Sequence, residues 1–588
     1  MNQIPEQAQF SAEADTDWVE RPSRLSGALY RFKVAVFRSR RTVLDLAAGL
    51  RRLEPAPVPE GWVLLAEVRS DLWTGSRSRE HRHQRGKVEN LRRATGLIGS
   101  GLLPAGQVFS FWKQIGKATR RRGFVDGRMI QEGCLVPSVG GGLCQLSNAL
   151  YDVARRAGCE IVERHGHSKI VPGSAATHGD DATVAWNYVD LRFRHTAPLH
   201  IEARLTADQQ VVRFHGPPDA AAAAPIPSAA KSRARRIANA CDSCSQVDCH
   251  RHDPSSAVPL IGARTVWLLD DNWPEFQAFR AAEAGPDDLL GLPLDGARRR
   301  LARYGWSEAP AGRTHEAALE ALWRSLAIRR LAAKGPERRR AELAGAAAIA
   351  RSLSRLLTQD DLEVVVAQSL LPFLWQSGRL GGRRLSVLMT RLPMAELQRR
   401  LDAAQARDPA QISLADFRAP PELAAAEAEA LTEAHRIVTP HAAVAALFGP
   451  RARRLDWQRP SPGVRLRGDG RRIAFPGPTA ARKGAFAVRE AALALDLEVL
   501  PLGSALEGAD FWNGVRLASP GPDWLSGVAA VVQPAIVEEA PRRLLAALAA
   551  GVPVIATRAC GLDPQPGLTL IPERDPAALI AALSDLMA

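Results

Sequence analysis

The residue of this 588-residue chain best placed to act as a nucleophile is Cys144, in VGGGLCQLSNALYDVARRAG. Gly140, Gly141 and Gly142 let the backbone turn through conformations closed to other residues. A helix is predicted from Gln145 to Ala157, so the thiol stands where free amides and the helix dipole favour a thiolate. The side chain of Gln145 is a candidate donor to a developing oxyanion. Downstream, EIVERHGHSKIVPG places His165 and His167 two positions apart, and on a strand both would face one cleft. Asp181 follows, with Asp180 and Asp190 as neighbouring carboxylates. A Cys, a His and an Asp are the ingredients of a thiol nucleophile, its base and the group that orients the base. The same residues also fit a structural cysteine packed behind a glycine turn, or a metal site made by Cys144 and the two histidines.

A second cluster, ACDSCSQVDCHRH, supplies Cys241, Cys244, Cys249, His250 and His252. Cys241, Cys244, Cys249 and His252 suffice for tetrahedral zinc. An iron-sulfur site with three Cys and one His, or a reduced cysteine-rich linker, fits the same spacing. Seven cysteines in a chain of this length do not form a secreted disulfide framework.

The chain carries 77 Lys plus Arg against 63 Asp plus Glu, a net charge of +14 that favours acidic partners. Nucleic acid is not the expected one, because no aromatic-plus-basic motif accompanies the charge. Met1 to Glu20 lacks the apolar segment of a secretory signal, and no apolar run is long enough to cross a bilayer. The expected location is cytoplasmic. Residues 21–52 combine Leu25, Leu29, Phe32, Val36, Leu44 and Leu50 with many arginines at an approximately helical period. Such a segment either lies on an anionic membrane surface, peripheral at the inner membrane, or packs on its own protein.

These residues must be positioned by several domains. Residues 1–79 form the basic amphipathic region. Residues 80–216 read as an α+β domain, with strands predicted at Thr183 to Tyr188, Val189 to Phe193, Leu199 to Leu205 and Gln210 to Phe214. Residues 217–260, Ala- and Pro-rich before the cysteine cluster, read as a flexible linker. From 261 onward, apolar runs such as Thr265 to Leu269, Leu362 to Val366, Ile473 to Phe475 and Val554 to Thr557 alternate with helices. That alternation predicts two parallel α/β units, divided at 261–435 and 436–588.

The string KVENLRRATGLIGSGLLPAGQVFSFWKQIGKATRRRGFVDG, followed by GGGLCQLSNALY, ERHGHS and NYVDL, resembles the VanW family. The resemblance implies a link to cell-envelope or glycopeptide-related biology. FPGPTAARKGAFAVREAALAL and VVQPAIVEEAPRRLLAALAAGVPVIATRACGL resemble glycosyltransferases with two facing Rossmann-like domains, the GT-B type. That resemblance implies donor-diphosphate contacts from Gly477 and Lys483 and a contact near the transferred sugar from Glu538. Pro478 stands where the family has an arginine, and Ala546 where it has a second acidic residue, which implies a worn donor site. The expected architecture is therefore multidomain: an α+β VanW-type domain, then Rossmann-like α/β domains. Three functions are expected from it. The first is a thiol-dependent enzyme acting on a cell-envelope precursor or glycan, the second a non-catalytic accessory protein binding peptidoglycan or glycan precursors, and the third an active glycosyltransferase.

Overall fold

The computed structural model describes residues 24–73, 81–131, 134–167, 169–170, 181–222, 236–237, 264–296, 306, 312–331, 335–461, 470–521 and 523–588. Cys241, Cys244, Cys249 and His252, the expected zinc ligands, lie outside them. Helix α1, Arg24–Ala47, carries the basic amphipathic pattern. It is tied to the following domain by Arg41 to Glu163 and by Asp45 to Arg192, yet Phe32, Val43, Leu44 and Leu46 remain exposed.

Strands Leu199–Leu205 and Gln209–Gly216 pair as an antiparallel hairpin, with Leu199, Ile201, Ala203 and Leu205 turned inward at period two. They sit at the centre of a five-stranded antiparallel sheet ordered Glu54–Pro55, Ser100–Leu103, Leu199–Leu205, Gln209–Gly216, Val63–Asp71. The two outer strands lie before residue 80, so the sheet draws in part of the region expected to stand apart. Helix α2, His81–Ile98, packs on Leu199–Leu205, and helix α3, Cys144–Arg156, packs on the opposite half of the sheet. Leu91, Leu146, Leu150, Ile201 and Phe214 share their core. The strand expected at Thr183 to Tyr188 does not form. The residue before it is held by the side chains of α3: Asn148 accepts from the Ala182 amide at 2.7 Å, and the Ser147 hydroxyl donates to the Ala182 carbonyl.

The C-terminal half contains two all-parallel sheets. The first has seven strands, in the order Arg313–Glu316, Leu289–Leu292, Thr265–Leu268, Glu363–Ala367, Arg384–Leu388, Arg436–Thr439, Ala452–Arg454. The second has six: Arg516–Leu517, Glu498–Pro501, Arg472–Phe475, Ala530–Gln533, Val554–Thr557, Leu568–Ile571. In both, the third, second and first strands run outward one way and the fourth onward the other, the Rossmann order. The whole is a GT-B-like pair of Rossmann-like domains behind an α+β domain. Arg436–Thr439 and Ala452–Arg454 complete the first sheet, so the two sheets part after Arg454 and not at 435/436.

The α+β domain docks on the first parallel domain through α2. Arg92 Nε donates to the Gly381 carbonyl at 2.6 Å, and the Gly382 amide donates to the Thr206 carbonyl at 2.7 Å. Gly382 has φ of +68°, and a Cβ there would stand 2.6 Å from Val88 Cγ1, so only glycine allows this approach. Buried Glu89 is the anion shared by Arg92, Arg93, Arg379 and Arg383. No helix among the described residues is long and apolar enough to cross a membrane.

Candidate active site

The glycine turn before α3 is fixed from three sides. Gly140 and Gly142 have φ of +81° and +97°, and a Cβ on Gly141 would meet the Gly127 carbonyl oxygen at 2.3 Å. Asn90 Nδ2 donates to the Gly141 carbonyl at 2.9 Å while its Oδ1 accepts from the Val125 amide at 2.9 Å. Cys144 is thereby held as the first residue of α3, partly exposed, with its sulfur 3.6 Å from Thr183 Oγ1.

His167 reaches the same thiol. Its Nδ1 and its backbone amide both bond to Asp181 Oδ2, each at 2.6 Å, which leaves Nε2 as the ring nitrogen for Cys144. Asp181 is fully buried, and Arg164 Nε donates to its carbonyl at 2.8 Å while Arg164 also approaches its carboxylate at 3.4 Å. Burial raises the Cys144 thiol, but the hydrogen bond and charge of His167, helped by Val184 and Thr183, override it and leave the thiol below its ordinary value. Burial lowers His167, and its bonds to Asp181 and Cys144 override that in turn, pushing it up to about 9. The two shifts favour a thiolate facing an imidazolium, one coupled unit.

The remaining expected residues fall elsewhere. His165 is half-exposed, and its Nε2 lies 3.2 Å from Glu163 Oε1, so the two histidines do not share a cleft. The chain between them runs without strand pairing, and the period-two argument does not apply there. Gln145 is fully engaged. Its Oε1 accepts from Lys87 Nζ at 2.9 Å, and its Nε2 donates to Ser70 Oγ at 3.0 Å and to the Asp71 carbonyl at 2.9 Å. It braces α3 against α2 and the sheet, and it has no donor left for an oxyanion. Asp190 accepts from Ser110 Oγ at 2.6 Å, from the Trp112 amide at 3.2 Å and from Arg192 at 2.8 Å, a structural knot away from His167. No group of three metal-ligating side chains occurs among the described residues.

Two neighbours were not singled out from sequence. Lys87 is buried with its stem against Gly142, and burial, with Arg128's charge, pushes its amine down to about 7. Arg164 clamps Asp181. The VanW-like string contains both, but nothing in their spacing marks them as site residues.

In the second parallel domain, Gly477 and Lys483 follow the strand Arg472–Phe475, while Gln533 ends its neighbour Ala530–Gln533 and Glu538 lies beyond it. They meet at the crevice between the first and fourth strands, where open parallel sheets bind ligands. Lys483 Nζ donates to Glu538 Oε2 at 2.9 Å, and Gln533 Nε2 donates to the same oxygen. Burial raises Glu538, and Lys483 with the amides of Ala540 and Glu539 more than offsets this, holding it below its usual range. The lysine expected to meet a diphosphate is thus paired within the chain.

Comparison with known proteins agrees with this division. Residues 86–215 match the family described as VanW like protein, and residues 497–588 match Glycosyl transferases group 1. The chain is 31% identical over 131 residues to YoaR of Bacillus subtilis, and 30% identical over 154 residues to the vancomycin B-type resistance protein VanW of Enterococcus faecalis. These alignments cover 22% and 25% of this chain, and the chain spans only 43% and 55% of the length of those relatives. Among solved structures, Anabaena HepE in complex with UDP and glucose is 14% identical with a TM-score of 0.31. Sucrose-phosphate synthase from Thermosynechococcus elongatus is 14% identical with a TM-score of 0.34; each similarity covers 55% of this chain and 89% of the other. The chain carries a VanW-like domain followed by a glycosyltransferase-type region of GT-B-like fold.

Proposed function

We propose that the VanW-like domain is a thiol-dependent acyl-transfer enzyme acting on peptide groups of cell-envelope precursors. The observation that supports it is the arrangement of Cys144, His167 and Asp181. The Cys144 thiolate attacks a carbonyl carbon, an S–C bond forms, and the leaving amine takes the proton from His167 as the C–N bond breaks. Water or a second amine, deprotonated by His167, then cleaves the thioester and restores the thiol. Asp181 keeps the imidazole in register and compensates its charge. The envelope assignment rests on the similarity to the enterococcal vancomycin B-type resistance protein VanW.

The C-terminal half, in the same proposal, recognises a nucleotide sugar or glycan without efficient transfer, because Pro478 and Ala546 remove two polar partners and Glu538 occupies Lys483. Glycosyl transfer by this half is the second reading, favoured by the meeting of Gly477, Lys483 and Glu538 at one crevice. Helix α1, with its exposed Phe32 and Leu46 beside arginines, would hold the protein on the cytoplasmic face of an anionic membrane.

The test is to incubate the full chain with a peptidoglycan stem peptide and follow intact mass. A hydroxylamine-sensitive adduct on Cys144, absent in Asp181→Asn, supports acyl transfer. Tight peptide binding with no adduct assigns the domain to non-catalytic recognition.

A further inference from the structure

We propose that a cleft of about 680 Å³ between α2 and the first parallel sheet binds a phosphorylated small molecule. It is lined by Arg85, Arg264, Arg313 and Arg355, against the two carboxylates of Asp287 and Asp360. Its volume is that of a small-ligand site, about 300 to 1,000 Å³.

The cleft does not coincide with the sugar-nucleotide crevice. Arg264 immediately precedes the strand Thr265–Leu268, Leu289 and Arg313 open the next two strands, and Asp360 precedes Glu363–Ala367. The floor is therefore the amino-terminal edge of four adjacent strands, whereas ligands of open parallel sheets occupy the carboxyl edge.

The charges are unevenly committed. Arg264 pairs with Asp361 at 2.8 Å, and Arg85, almost wholly buried, pairs with half-exposed Asp360 at 3.3 Å. Arg313 and Arg355 are exposed on the rim and form no ion pair among the described residues. Four guanidinium groups against Asp287, Asp360 and the Asp361 carboxylate that pairs with Arg264 leave an excess of one positive charge. Arginine forks match phosphate oxygens bidentately, so a phosphate group satisfies the guanidinium groups of Arg313 and Arg355. Leu289 and Leu356 add an apolar wall for the rest of such a molecule. Because Arg85 belongs to the VanW-like domain and the other three arginines to the Rossmann-like domain, a bound ligand bridges both.

The test is calorimetric titration of the full chain with inorganic tripolyphosphate, and in parallel with citrate. We expect one saturable tripolyphosphate site, at least about tenfold weaker in Arg313→Gln/Arg355→Gln and unchanged in Lys483→Ala, with citrate binding weaker. Both substituted arginines are exposed, so the double variant tests binding and not folding. Absence of saturable binding, equal affinity in the double variant, or equal affinity for citrate would overturn the proposal. So would loss of binding in Lys483→Ala, which would put the anion in the donor crevice.

Discussion

Asp181 Oδ2 accepts two hydrogen bonds from one residue, His167, through its backbone amide and its Nδ1, each at 2.6 Å. The carboxylate thus fixes both where the imidazole begins and which way it points. Removing that charge while keeping the shape, as in Asp181→Asn, should bring His167 down from about 9 toward the ordinary 6.5, since a neighbouring carboxylate commonly shifts a partner by about 1 to 3 units. Titration of the His167 ring resonances reads this directly. An unchanged midpoint would mean that Asp181 positions the ring without acting on its charge.

Glu89 is the anion in a nest of Arg92, Arg93, Arg379 and Arg383. Glu89→Gln should destabilise the protein by about 3 to 5 kcal/mol, the cost of leaving buried charge uncompensated. Burial raises this carboxyl, and the arginines override it and hold it below its ordinary value. Its stabilising contribution is therefore complete above the unfolded value of about 4.5 and is lost as pH falls through the lower folded value. Denaturant melts of both proteins between pH 7 and acid should converge at the acid end.

Gly382→Ala should loosen the docking of the two domains. Its φ of +68° and the 2.6 Å approach to Val88 together make about 1 to 3 kcal/mol a reasonable loss. Limited proteolysis should reveal the same change as faster cleavage near residues 378–383, while a variant as stable as wild type would show that the loop adapts.

Calorimetry with a nucleoside-diphosphate sugar should give weak binding. Each missing charge-assisted hydrogen bond costs about 1.5 to 3 kcal/mol, roughly 10- to 150-fold in affinity. Micromolar affinity abolished by Lys483→Ala would restore the glycosyltransferase reading.

Purified full chain should carry about one zinc, and a Cys241→Ser/Cys244→Ser variant should carry none. Equal, negligible metal in both would return the cluster to an ordinary linker.

Much of the architecture was legible because it follows local rules. Val554–Thr557 and Ile473–Phe475 are continuous apolar runs, as strands buried on both faces require, and the run of Gly140 to Gly142 marked a turn that the positive φ values explain. What sequence spacing missed depends on contacts between distant segments. Arg313–Glu316 is a polar edge strand with no apolar run to announce it, and Ala452–Arg454 owes its strand form to pairing with Arg436–Thr439. His165 and His167 differ because Glu163 takes one and Asp181 the other, and Gln145 is consumed by Lys87 from another helix.

The measurement closest to the central claim is the pH dependence of iodoacetamide labelling at Cys144, read peptide by peptide. Cys159 and Cys560 serve as controls, since burial pushes both thiols up to about 12. Cys144 should label rapidly near neutral pH, where an ordinary thiol is still mostly protonated, while both controls stay silent until the chain is denatured. His167→Ala should move the Cys144 profile to higher pH, and His165→Ala should leave it in place. A Cys144 that labels only after denaturation, or whose profile ignores His167, would contradict the thiolate–imidazolium pair.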